Sequence, residues 1–98
     1  MFDKMKELME VKRQAENLKR ELDAAAIEVH EVPGIKIVIN GSQNFKTVEI
    51  DAQLLNSENK KRLESDLLRA LNSAINKAQN LAAQKMKAMT GLNIPGLN

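Results

Sequence analysis

The apolar residues of this chain keep three periods in turn, and that succession restricts its fold more than any other feature. Leu8, Val11, Ala15, Leu18, Leu22 and Ala25 step alternately by three and four. This is a heptad seam, with Leu8, Ala15 and Leu22 at a and Val11, Leu18 and Ala25 at d. No Gly or Pro interrupts it, so the spacing predicts a helix over about 2–26. A seam this narrow suits helix-on-helix packing. The period then drops to two. Ile27, Val29 and Glu31 alternate with Glu28 and His30, predicting a strand over about 27–32 that ends at the Pro33-Gly34 turn. Ile35, Ile37 and Ile39 alternate with Lys36, Val38 and Asn40, a β-branched strand over about 35–40. Asn40-Gly41-Ser42-Gln43-Asn44 is turn chemistry, and Lys46, Val48 and Ile50 alternate with Thr47, Glu49 and Asp51 in a third strand, about 46–51. The helical period returns over about 57–89, with Asn56 or Ser57 as cap. Leu63, Leu67, Leu71, Ala74, Ile75, Ala78, Leu81, Ala82, Met86 and Met89 share one side of this helix. Thr90-Gly91 ends it, and 90–98, with Pro95-Gly96, reads as a flexible tail.

The expected fold is α+β, in the order α-β-β-β-α, as a single domain over 1–98. At ~1.5 Å per residue the helices run to roughly 37 and 50 Å. The three strands make an antiparallel meander only about 15 Å across. Such a sheet cannot cover both helices, so much of each projects, most simply as an antiparallel pair. A short chain with this much projecting apolar surface is expected to dimerise.

Catalysis finds few candidates. There is no cysteine, and His30 is the only histidine, expected at the surface of a strand between Glu28 and Glu31. General acid–base work needs such a group in a pocket with a partner, and a thiolate or multi-histidine metal site is excluded. Glu49 and Asp51 are a conceivable pair for a hard cation, but a carboxylate beside a turn more commonly caps it. Gly34, Gly41, Gly91 and Gly96 match no phosphate-loop spacing. The expectation is no enzyme, no cofactor, no metal and no small-molecule substrate. The acidic and basic opening, Met1 to Glu7, has no signal-peptide core, and no run is apolar enough for a membrane span. A cytoplasmic location without membrane contact is expected.

The formal net charge is only +2, but it is unevenly spread: no acidic residue follows Asp66, whereas Arg69, Lys77, Lys85 and Lys87 do. In the first helix Lys6, Arg13 and Arg20 fall at f, with Lys12 and Lys19 at e, a basic stripe away from the seam. In the second, Arg62, Arg69 and Lys87 lie within about 20° of one line and Lys77 about 60° from it, while Lys85 leans to the apolar side. Pairing the two helices from their sheet-proximal ends sets Lys6 level with Lys77 and Arg13 level with Ala70. The distal arm then gathers Lys4, Lys6, Lys12, Arg13, Lys77, Lys85 and Lys87 as candidate DNA-binding residues. Phe2 and Phe45 are the only rings, which disfavours single-strand binding by base stacking and leaves duplex phosphates as the polyanion. A charged outer face is also what any solvated coiled coil carries.

The order of elements, with specific wording, resembles the YbaB/EbfC family of bacterial nucleoid-associated proteins. The matching stretches are Met1-Phe2 leading into a Met-, Gln- and Lys-rich helix, Val38-Ile39-Asn40-Gly41, and Val48-Glu49-Ile50-Asp51 before Leu54-Leu55. Leu63-Glu64-Ser65-Asp66-Leu67-Leu68, then Ala70, Asn72 and Ala74, and the ending Gly91-Leu92-Asn93-Ile94-Pro95-Gly96 complete the set. The Gly-rich opening common in the family is absent, and the first helix is near neutral. The resemblance implies a tweezer-like homodimer whose helical arms grip duplex DNA in the nucleoid, with some effect on gene expression. It gives Asn40-Gly41 and Asp51 structural roles, shaping turns and the entry to the second helix. Two rivals use the same architecture: a prefoldin-like coiled-coil holdase, which needs apolar arm tips such as Met1, Phe2, Met5, Met86 and Met89, and an adaptor that binds another protein along its arms.

Overall fold

The computed structural model describes residues 2–90, with side chains from 4 to 89. It contains α1 (Phe2–Ala24), β1 (Ile27–Val29), β2 (Ile35–Ile39), β3 (Phe45–Ile50) and α2 (Lys60–Thr90), with two 3-10 turns, Ala52–Leu54 and Ser57–Asn59, before α2. The expected α+β order is present: two helices and an antiparallel sheet of order β1-β2-β3. The helix expected to end at Met89 runs one residue further, and the rest of the expected tail, 91–98, lies outside the described residues.

The core forms where two small-period stripes meet. Ile35, Ile37 and Ile39 line one face of β2 and are at most 2 % exposed. Against them lie Ala70, Ala74 and Ala78, one turn apart on α2 and fully buried. Alanine has no side chain beyond Cβ, so the helix axis can sit close to the sheet. Val29 and Val32 complete the buried cluster, and Leu63, Leu67, Leu71 and Ile75 flank it. α2 packs chiefly on β2 and β1. β3 extends beyond it: Phe45 and Val48, opposite Ile39 and Ile37 in register, remain 42 % and 48 % exposed.

β1 stops at Val29, three residues short of the expected strand. Val29 is the last residue in register, opposite Ile37. The chain then needs His30 to Gly34 to reverse; Val32 turns inward, 4 % exposed, and its carbonyl accepts from the Ile35 N–H at 3.1 Å. Gly34 sits at φ +88°, and a Cβ there would come 2.7 Å from Leu54 Cδ1, so glycine is required twice over. A register shift at Val38/Ile39 gives β3 one extra residue. At the other end of the sheet, Asp51 accepts from the Gln53 N–H at 3.1 Å and Asn56 from the Asn59 N–H at 2.9 Å, so both residues cap the approach to α2.

α1 is fixed to the sheet by the β2–β3 turn. Its last carbonyls lack intrahelical donors. The Gly41 N–H donates to the Leu22 carbonyl at 2.8 Å, and the Asn40 side-chain amide donates to the Asp23 carbonyl at 3.3 Å. Asn40 is 3 % exposed, and its side-chain oxygen also accepts from the Ser42 and Asn44 N–H groups at 3.0 and 2.9 Å. The Ser42 hydroxyl donates to the Asp23 carboxylate. A Cβ on Gly41 would lie 2.8 Å from Leu22 Cδ2 and 3.0 Å from its Cα. Gly41→Ala is therefore expected to cost about 1–3 kcal/mol, the range for overpacking a close contact, measured by urea unfolding.

Candidate nucleic-acid interface

The level at which α1 meets α2 decides where the basic residues lie. Lys85 Nζ approaches Glu21 at 3.8 Å, and Leu18 and Gln14 share a shallow groove with Ala88 and Met89. The helices are antiparallel, as expected, but displaced along their axes. Lys6 is not level with Lys77, nor Arg13 with Ala70. At ~1.5 Å per residue, Lys6 stands about 22 Å beyond the Glu21–Lys85 contact, and Lys77 about 12 Å behind it. The cause is the alanine stripe. α2 starts at the Gly34 end of the sheet and spends Leu63 to Ala78 crossing it, while α1 leaves from the Asn40-Gly41 end. Only the last third of α2 reaches α1. The resulting body measures 68 × 26 × 15 Å.

The seven candidate residues therefore fall in three places. Lys4, Lys6, Lys12 and Arg13 are exposed on the part of α1 that overhangs α2, Arg13 in an ion pair with Glu10. Lys85 and Lys87 lie near the end of α2, where cations suit the negative end of the helix dipole. Lys85, expected to lean to the apolar side, lies against α1 with only 34 % of its side chain exposed. Lys77 is exposed between Ala74 and Ala78, over the sheet. The structure instead brings Lys19 and Arg20 level with Lys85 and Lys87. Both belong to the basic stripe of the first helix, but the expected pairing level excludes them. Arg62 and Arg69 flank Asp66 at 3.8 and 3.7 Å, at the opposite end of the molecule.

The seam on α1 is covered in its proximal half only. Leu18, Leu22 and Ala25 are half-buried, while Leu8 and Val11 remain 69 % and 62 % exposed, beside Met5 and Met9 at 66 % and 70 %. The overhang mixes the two kinds of side chain. Lys4 falls on the seam one heptad before Val11, Lys12 shares the heptad position of Met5, and Met9 lies with Lys6, Lys12 and Arg13 around one shallow groove, while Lys6 and Arg13 sit at the position away from the seam.

The remaining polar clusters are surface ones. Lys36 lies 3.2 Å from Glu28 on the solvent face of the sheet. Its hydrogen bond and charge hold the Glu28 carboxyl below its ordinary value, and the same bond, with Glu49 adding, raises Lys36. His30 is just past β1, 64 % exposed, with Nε2 3.7 Å from Glu28. Asp51 spends a carboxylate oxygen on its turn. Among the described residues no helix is long and apolar enough to cross a membrane, and no three acidic or histidine side chains converge as a metal site would require.

The chain resembles known proteins along nearly its whole length. It is 40 % identical over 97 residues to a nucleoid-associated protein of Hahella chejuensis, covering 97 % of this chain and 89 % of that one. It is 32 % identical over 98 residues to one from Syntrophobacter fumaroxidans, covering 98 % and 89 %. The crystal structure of an uncharacterized Helicobacter pylori protein shares the fold, with a TM-score of 0.78 over 92 % of this chain and 97 % of that one at 18 % identity. Residues 1–93 match the YbaB/EbfC DNA-binding family, and the chain belongs to that family.

Proposed function

We propose that this protein is a nucleoid-associated homodimer that holds duplex DNA by phosphate contacts from its α1 overhangs, with little regard to sequence and without catalysis. The observation that carries the reading is the overhang itself. Lys4, Lys6, Lys12 and Arg13 stand exposed on one segment that extends about 22 Å past the contact with α2, a length comparable with the roughly 20 Å duplex diameter that the groove widths imply. Long flexible cations contact phosphates, which fix affinity but carry no base identity. Lys19, Arg20, Lys85 and Lys87 extend the positive surface toward the junction. Lys77, about 34 Å from Lys6 along the axis, is a secondary site in this reading.

Dimerisation follows from the uncovered strand. Phe45 and Val48 lie on the core-side face of the sheet, outside the main contacts of α2 and nearly half exposed, and Leu68 on α2 is 62 % exposed. β3 is also an edge strand with unpaired backbone groups. A second copy set against this edge closes both liabilities and supplies a second arm. The holdase reading draws on a different observation, the bare Met5, Leu8, Met9 and Val11. A client-aggregation assay separates the two, with weak or no suppression expected.

Replacing Lys4, Lys6, Lys12 and Arg13 together by Gln should weaken binding to several unrelated duplexes alike. It should also flatten the salt dependence of log K by about 0.9 for each phosphate no longer neutralised. Lys77→Gln alone should change the slope by less than the share of one phosphate. Unchanged affinity in the quadruple variant, with the dimer intact, would sink the overhang as the DNA surface. By sedimentation at micromolar concentration the protein should be a dimer, and Val48→Glu should shift it to monomer by burying an unpaired charge in the interface; a monomeric parent protein would defeat the second-arm reading.

A further inference from the structure

Arg69 and Lys87 lie on one line of α2, roughly opposite the alanine stripe and about 27 Å apart at ~1.5 Å per residue. Asn76 and Asn80 fall between them, within about 20° of that line, and Ser73 and Ala83 within about 40°. Ser73 is half-buried, and the other five are exposed. The four central side chains are all short. Two acids approach the row from the sheet end: Asp66 lies 3.7 Å from Arg69, and the Ser73 hydroxyl donates to Glu31 at 3.4 Å. Beyond Ser73, α2 carries no acid. Asparagine suits a helix interior poorly, because its amide competes for backbone groups. Asn76 and Asn80 are not part of the core that α2 forms with the sheet. Two such residues on an exposed line, with no return in packing, point to a surface kept for contact rather than for folding.

We propose that this row enters the major groove of the duplex, with the Asn76 and Asn80 amides on base edges and Arg69 and Lys87 on phosphates at either end. The inference rests on the DNA reading above, and adds a preference for adenine to the phosphate grip of the overhangs. A carboxamide presents an N–H donor beside a carbonyl acceptor, which matches N7 and the N6 amino group of adenine; guanine offers two acceptors there, N7 and O6. A helix with its side chains is about 10–12 Å wide and the groove about 12 Å. Short side chains between the two cations let the helix backbone come close to the bases. The Ala83 methyl, one turn beyond Asn80, suits contact with the methyl group of thymine.

Three duplexes of equal length read the groove: alternating A·T, alternating G·C and alternating inosine·C. Inosine lacks the 2-amino group of guanine, so its pair with cytosine resembles A·T in the minor groove and G·C in the major groove. Titrated with the full chain at one salt concentration and followed by fluorescence anisotropy, the A·T duplex should bind tighter than both others by about fivefold or more, the least that one bidentate pair supplies. Asn76→Ala with Asn80→Ala, a change that favours the helix, should abolish the preference by weakening A·T binding alone. The salt dependence should not change, because no cation is lost. Equal binding of A·T and G·C by the parent protein would overturn the proposal. So would inosine·C binding like A·T, which puts the preference in the minor groove, or a preference that survives in the double variant. Each of these leaves the phosphate grip of the overhangs standing, whereas a protein that binds none of the three duplexes at moderate salt would overturn the DNA reading and this proposal together.

Discussion

Three alanines one turn apart, Ala70, Ala74 and Ala78, lie on three isoleucines two residues apart, Ile35, Ile37 and Ile39, and every other placement in the molecule follows from that contact. Each fully buried isoleucine contributes about 1.5–3 kcal/mol of apolar burial. The match of small to large keeps the helix within packing distance of a short sheet. It also aligns α2 with the strands, so that half of its length is used on the sheet and the rest runs past the Asn40-Gly41 end. The overhang of α1, the bare edge of β3 and the narrow 68 Å body are consequences of that alignment.

The second constraint is polar. A helix that leaves the core needs its terminal carbonyls satisfied, and here the β2–β3 turn does this. Gly41 and Asn40 donate to Leu22 and Asp23, and the same Asn40 side chain holds the turn closed through Ser42 and Asn44. A single buried amide thus serves the helix end and the hairpin at once. Its removal would leave several backbone groups without partners, each worth roughly 1–3 kcal/mol when buried.

Much of this is legible from the residues. The change of period from 3.5 to 2 to 3.6 marks the five elements, because side-chain period is a local property of the backbone. Asn56 and Asp51 announce their capping roles by type and place. What periodicity does not encode is level. The seam shows that Leu18 and Leu22 face a helix, but not that they face Met89 and Lys85, because a heptad repeat looks the same after every seven residues. The displacement is hidden in the alanine stripe, whose small side chains read, by period alone, only as part of a long apolar side. For the same reason sequence groups Lys77 with Lys6 and Arg13, and passes over Lys19 and Arg20. The expected first strand is too long because alternation continues through His30 and Glu31 although the pairing ends at Val29.

The joint at Gly41 has a mechanical side. From Leu22 to Lys6 the helix is about 24 Å long at ~1.5 Å per residue, and it is held at one end only. A rotation of about 10° at that joint carries the Lys6 end through roughly 4 Å, a third of the ~12 Å width of a major groove. The position of the Lys6 end is thus set far from it, at a contact of van der Waals dimensions between one glycine and one leucine.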